Sequence, residues 1–201
     1  LDPRAAATYL SPMEPLYEGK AKRLWATADP NVLRMEFKND ATAFNGEKKA
    51  SFENKGHLNN EISTLIYGFL EDAGVPTHFV RKIDETNVEV KKVTILMVEV
   101  IVRNLSAGSY CKRTGEPEGR VFSQPIIEFS YKSDELGDPL INDDYIREMG
   151  LATPEDLAHL RKSALAINSI LTDFFAKCGL KLVDFKIEFG RLVSDPSVIV
   201  L

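Results

Sequence analysis

The chain has 201 residues, 44% hydrophobic and 27% charged, and a net charge of −5 from 30 acids against 25 bases. That is the composition of a globular protein large enough for one large domain or two small ones. It leaves no basic surplus for a nucleic-acid partner, although a local basic patch can still hold a small anion. No apolar run nears the roughly 20 residues that cross a bilayer, and the opening LDPRAAATYLSPMEP lacks the basic, apolar and small-residue order of a signal peptide. A cytoplasmic protein is expected. Cys111 and Cys178 have no CxxC spacing and read as reduced thiols, and three scattered histidines speak against a His-built metal site.

In chain order, residues 1–15 read as an N-terminal extension, with Met13 a candidate natural start. YEGKAKRLWAT and NVLRMEFKND alternate apolar and polar residues around the turn-like ADP, and both are predicted strands. In the second, Leu33, Met35 and Phe37 share a face opposite Arg34, Glu36 and Lys38. ATAFNGEKKASFENKG is polar without a steady period and reads as a mobile loop. Leu58, Ile62, Leu65, Ile66, Phe69 and Leu70 then recur at helical spacing, and Gly74 and Pro76 end that helix. NVEVKKVTILMVEVIVRN predicts two strands, the second ending at Arg103, and SAGSYCKRTG predicts a short helix. GEPEGR is a turn and PIIEFSYK a further strand. The acidic loop SDELGDPLINDD precedes a second helix with Thr153 as N-cap and Pro154 at its first position. Leu157, Leu160, Ala164, Ile167, Leu171, Phe174 and Cys178 form its core stripe, and Gly179 its C-cap. KLVDFKIEFG is a strand, and VSDPSVIVL a hairpin return. Many strands, two long helices and no regular βαβ alternation give an α+β fold.

Four stretches could carry chemistry. EGKAKR (Glu18–Arg23) sets a glycine beside closely spaced lysines, which lets amides and ammonium groups approach a phosphate chain. The commoner case is an exposed Lys-rich strand, and GxxxxGK[ST] occurs nowhere. VRNLSAGS (Arg103–Ser109) places an arginine where an apolar strand ends, as a salt-bridge partner or, with Ser106, Gly108 and Ser109, as a phosphate or carboxylate site. KSDELGDPLINDD carries Asp134, Glu135, Asp138, Asp143 and Asp144 without EF-hand spacing. It is a solvated acidic turn or a set of groups for nucleotide-bound magnesium, sugar hydroxyls or an amine. In KLVDFKIEFG, Val183, Phe185, Ile187 and Phe189 point one way, and Asp184, Lys186 and Glu188 the other. That charged face is a solvated sheet surface or a site where Mg²⁺ bridges phosphate oxygens beside a lysine. Cations, magnesium-type acids and a second anion site together imply an ATP-using site.

The stretches LYEGKAK (16–22), FKNDATAFNGEKKA (37–50), KGHLNNEIS (55–63), GVPTHF (74–79), VEVIVRNLSAGS (98–109), KSDELGDPLIN (132–142) and LVDFKIEFG (182–190) occur in one order. Over residues 16–201 the chain resembles the SAICAR synthetase (phosphoribosylaminoimidazole-succinocarboxamide synthase) family. The resemblance implies an ATP-grasp-like α+β fold: a β-rich nucleotide-binding lobe over 16–95, an α+β substrate and ATP lobe over 96–201, and ATP between them. It implies a purine-biosynthesis ligase that uses ATP and Mg²⁺ to join L-aspartate to the carboxylate of carboxyaminoimidazole ribonucleotide (CAIR). No nucleic-acid or membrane partner and a homodimer are expected. By the same resemblance Lys20, Ala21 and Lys22 meet the nucleotide phosphates, and Val90, Lys91 and Ile95 line the adenine pocket. Lys132 faces the nucleotide, and Glu188 holds magnesium and nucleotide with Lys186 beside it. Arg103 and Ser109 hold the phosphate or carboxylate of CAIR, Asp138 and Asp184 face the substrate, and Lys22, Asp184 and Lys186 are the expected catalytic set.

The family continues beyond VIVL with an acidic DE stretch, a substrate-binding arginine and a helical region, so a second magnesium-binding aspartate and that arginine are not in this sequence. A strict 201-residue chain is therefore expected to be slowed roughly 10²-fold or more. A catalytically idle nucleotide-binding module would bind ATP without releasing ADP when both co-substrates are added. A small-molecule kinase would release ADP with a hydroxyl acceptor and ignore aspartate, but GxGxxG, HRD and DFG are absent.

Overall fold

Residues 14–43 and 48–201 are described in the computed structural model, so the reading of residues 1–13 lies outside the described residues. The chain divides into two compact units: the described residues up to Ile66 with Phe79–Lys92, and Tyr67–His78 with Val93–Leu201.

In the first unit, β1 (Tyr17–Glu18), β2 (Lys22–Ala26) and β3 (Val32–Phe37) are followed by a hairpin of β4 (Asp40–Ala43) and β5 (Lys48–Ser51). Helix α1 (Lys55–Asp72) comes next, its residues from Tyr67 on belonging to the second unit, and then β6 (Phe79–Lys82) and β7 (Asn87–Lys91). The main sheet is antiparallel, in the order β1-β2-β3-β7-β6. Its register sets Met35 opposite Val88 and Leu33 opposite Val90, so the alternating apolar positions read from the sequence meet on one face. Met35, Phe37, Val88 and Val90 are buried there, with Leu24, Leu33 and Phe79 packed against them. The loop expected over ATAFNGEKKASFENKG is instead largely a strand pair, β4 and β5; residues 44–47 lie outside the described residues. Four-residue polar strands carry no periodic signal strong enough to read.

The helix expected from Leu58 onward is α1, but of its apolar stripe only Leu70 is among the buried residues. Leu58, Ile62, Leu65 and Phe69 are between 43% and 56% exposed. The buried positions include Asn60, whose Nδ2 donates to the Asp84 carbonyl at 2.8 Å. At Gly56 an added Cβ would lie 2.5 Å from the Phe37 carbonyl oxygen.

In the second unit β8 (Val93–Leu105), α2 (Gly108–Thr114), β9 (Val121–Tyr131), a 3₁₀ turn (Asp134–Leu136) and β10 (Leu140–Ile141) precede α3 (Asp143–Glu148). Then come α4 (Pro154–Lys177), β11 (Asp184–Leu192) and β12 (Ile199–Val200). The sheet is antiparallel in the order β10-β9-β8-β11-β12. α4 begins where Thr153 and Pro154 place it, closed by a capping box in which Asp156 N donates to Thr153 Oγ1 (3.1 Å) and Thr153 N to Asp156 Oδ2 (2.9 Å). Leu157, Leu160, Ala164, Ile167 and Leu171 are buried, as are Val98, Val100 and Val102 of β8, on which α4 packs. Each such leucine, isoleucine or valine side chain contributes about 1.5–3 kcal/mol on burial. Cys178, expected in that stripe, is exposed, because the helix ends there and Gly179 turns the chain with φ 74°. α3, capped by Asn142, was not anticipated; it begins at the last two residues of the expected acidic loop and runs beyond it.

Candidate functional site

Opposed residues of neighbouring antiparallel strands present their side chains on the same face. On β11, Glu188 lies opposite Glu99, Lys186 opposite Ile101 and Asp184 opposite Arg103. On β9, Ser130 lies opposite Glu99 and Glu128 opposite Ile101. Val98, Val100 and Val102 take the alternate face, under α4, so the charged residues of three central strands share the other. The charged alternation in KLVDFKIEFG is one edge of this polar floor.

At one end of the floor sit two lysines and two glutamates. Lys132 Nζ, just past β9, donates to Glu188 Oε1 at 2.9 Å and lies 3.8 Å from Glu99 Oε1. Lys186 Nζ donates to Glu99 Oε1 at 2.6 Å, and Ser130 Oγ donates to Glu99 Oε2 at 2.9 Å. Glu99 is 2% exposed, whereas the Glu188 side chain is 33% exposed. Burial pushes the Tyr67 phenol up to about 12, and the nearby Glu188 carboxylate adds to it. Tyr67 packs edge-on against His78 at 5.1 Å.

At the other end Arg103, 5% exposed, uses three nitrogens on three partners. Nε donates to Glu128 Oε2 (2.8 Å), Nη1 to Asp184 Oδ2 (2.7 Å) and Nη2 to Ser109 Oγ (2.9 Å). Arg113 of α2 also pairs with Glu128. Two guanidinium groups thus meet two carboxylates beside an exposed serine, an arrangement suited to a small anion. The Asp138 carboxylate accepts from Ser133 N at 3.0 Å and closes its own turn, with φ +50°.

In the first unit, the turn carrying Lys20 and Ala21 into Lys22 is tied by Gly19 N to Lys22 O (2.9 Å) and Lys38 N to Ala21 O (2.8 Å). Lys38 Nζ pairs with Glu18 at 2.6 Å and Asp40 at 2.8 Å; its ammonium is held above the usual range by Asp40 first and Glu18 second. Lys20 is exposed, and Lys22 Nζ lies 5.3 Å from the Phe37 ring centroid. Val90 is committed to the apolar core and Lys91 ends β7. Ile95, in the second unit, is exposed on β8.

The sequence reading thus placed Asp184, Lys186 and Glu188 together, and the register adds Arg103 and Lys132 to them. It missed Glu99, Ser130 and Glu128. The signal for Glu99 and Glu128 was a lone acid in each of two apolar runs, VEVIV and PIIEF, and Ser130 had none. Among the described residues, no group of three or more His, Cys, Asp or Glu is placed to hold a metal ion. Glu188 nevertheless fits the usual mode for magnesium, which takes one or two carboxylates plus substrate phosphates and keeps several waters.

A model of the SAICAR synthetase family matches residues 15–201. The phosphoribosylaminoimidazole-succinocarboxamide synthase of Akkermansia muciniphila is 61% identical over 189 residues, which cover 94% of this chain and 80% of that protein. The synthase of Anoxybacillus flavithermus is 54% identical over 176 residues, 88% of this chain and 73% of that one. Among solved structures, the synthase from Ehrlichia chaffeensis superposes with a TM-score of 0.90 at 43% identity, covering 94% of this chain and 80% of that one. A SAICAR synthetase in complex with ADP gives 0.86 at 44% identity, covering 92% and 78%.

Proposed function

The chain belongs to the SAICAR synthetase family of purine-biosynthesis ligases, and we propose that it joins L-aspartate to the carboxylate of CAIR while converting ATP to ADP and phosphate. A carboxylate is a poor electrophile. Taking the γ-phosphoryl group of ATP onto a carboxylate oxygen makes an acyl phosphate, and the aspartate amine displaces phosphate from its carbonyl carbon to form the amide. Such a transfer needs positioned cations more than a protein nucleophile, which suits a face on which the hydrogen bonds of the described residues form lysine–glutamate and arginine–carboxylate pairs.

The observation that carries this reading is the single polar face with a Lys–Glu group at one end and an Arg–carboxylate group at the other. Lys132 and Lys186 are suited to offset charge on a transferring phosphoryl group, with Glu188 turned to the nucleotide. Magnesium, when bound at Glu188, would screen the phosphate oxygens. Arg103 and Ser109 are suited to the CAIR phosphate or carboxylate, and Asp184, its side chain 37% exposed, to a polar group of the same substrate. Lys20 and Lys22 are the proposed phosphate contacts of the first unit, and Asp138 is proposed to reach substrate from its loop. A cytoplasmic homodimer is part of the same proposal; among the described residues, no helix is long and apolar enough to cross a membrane.

The test is ADP release with Mg·ATP, CAIR and L-aspartate, each omitted in turn, on protein of recorded intact mass. ADP formed only when all are present supports the ligase. ADP formed without aspartate at the full rate contradicts it.

A further inference from the structure

We propose that Glu99 is a positioning residue: its buried carboxylate fixes the Lys186 ammonium, and steadies that of Lys132, on the floor of the site. The inference rests on the ligase reading for its kinetic consequence, but its structural content stands without it. A lysine ammonium sits on a long flexible stem and is strongly hydrated, so left to itself it occupies many rotamers. Lys186, its side chain 45% exposed, is instead held at 2.6 Å by Glu99 Oε1. The same oxygen lies 3.8 Å from Lys132 Nζ, while the other takes the Ser130 hydroxyl at 2.9 Å. With both oxygens engaged and only 2% of the residue exposed, Glu99 cannot turn out to a ligand.

Glu188, its cross-strand neighbour, differs in this respect. Its side chain is 33% exposed and its ion-pair partner Lys132 is itself 35% exposed. The two acids therefore divide the work: Glu188 is able to exchange a lysine for a ligand, and Glu99 keeps the lysines in place when it does. A buried carboxylate with no such role would be an expensive occupant of a strand interior, since replacement by an apolar residue is often neutral or stabilising.

The test compares Glu99→Gln with the unchanged chain, alone and in a Lys186→Met background. Glu99→Gln is expected to lower kcat about 10- to 100-fold while KM for ATP moves less than about threefold. In the Lys186→Met background the same change is expected to cost several-fold less than in the parent, because the path through Lys186 is already cut and only the longer 3.8 Å contact with Lys132 remains. Independently of turnover, the Lys186 ¹⁵N ammonium signal is expected to be sharp and slowly exchanging in the unchanged chain and to broaden in Glu99→Gln. Ser130→Ala, which leaves the charges intact, moves kcat and the signal in the same direction by a smaller factor and decides the matter if Glu99→Gln does not fold. An active parent whose Glu99→Gln variant keeps its kcat, additive losses in the double variant, or an unaltered Lys186 signal would each overturn the assignment. If the parent releases no ADP, turnover bears on the ligase reading and not on Glu99, and the ammonium signal alone decides the role of Glu99.

Discussion

Arg103 gives each of three nitrogens a different partner, which no lysine can do: an ammonium is a point charge without the planar fork. Arg103→Lys keeps the charge and loses the simultaneous grip on Glu128, Asp184 and Ser109. Charge-assisted hydrogen bonds contribute about 1.5–3 kcal/mol each, so loss of one to the CAIR anion raises KM for CAIR about 10- to 100-fold, read from initial rates against CAIR concentration. An unchanged KM would place the anion site elsewhere. Full removal, as in Arg103→Met, is a different experiment. It leaves Glu128, whose side chain is 15% exposed, with one guanidinium fewer, and mixes a stability loss with the binding loss.

At the scale of elements, the start of α4 carries its own signal, the Thr-Pro-Glu-Asp run, and the structure closes it as a capping box. Burial alone would push the Asp156 carboxyl up; the Thr153 N–H and the Arg191 guanidinium outweigh it and hold the group below the usual carboxylate range. A folded-state value below the unfolded one means that the stabilisation is present above about pH 4, the ordinary aspartate value, and is lost as pH falls through the folded value. Asp156→Asn is expected to lower stability by about 1–2 kcal/mol at pH 7, with the gap to the parent closing as pH falls below about 4. Urea unfolding at several pH values checks both; a gap independent of pH would mean that the carboxylate charge is not what stabilises the cap. Other elements were less legible. α3 is six residues long and has no stripe to count. α1 was readable as a helix, but which side it buries is decided by neighbours. A polar Asn60 bonded to the Asp84 carbonyl, and a Gly56 with no room for a Cβ beside Phe37, occupy the inside, while Leu58 and Ile62 lie outside.

For the molecule as a whole, the alternation of each strand was visible in the sequence, but the register between strands was not. Asp184, Lys186 and Glu188 could be placed on one face because a single strand carries all three. Arg103 could be suspected because an apolar run ends on it. Glu99, Ser130 and Glu128 became site residues only when β8 was paired with β9 and β11, since a lone acid among valines has no partner in its own strand. The family resemblance supplied the chemistry that spacing left open, and the family match over residues 15–201 bears it out. The central claim is that this face serves phosphorylation of a carboxylate rather than simple hydrolysis of ATP. It is tested most directly by turning over CAIR labelled with ¹⁸O in its carboxylate, with ATP and L-aspartate, and analysing the released phosphate by mass spectrometry. Phosphate carrying an oxygen from the carboxylate is the predicted result, because the amine displaces that oxygen together with the phosphoryl group. Unlabelled phosphate, with amide formed at the same rate, would contradict the account.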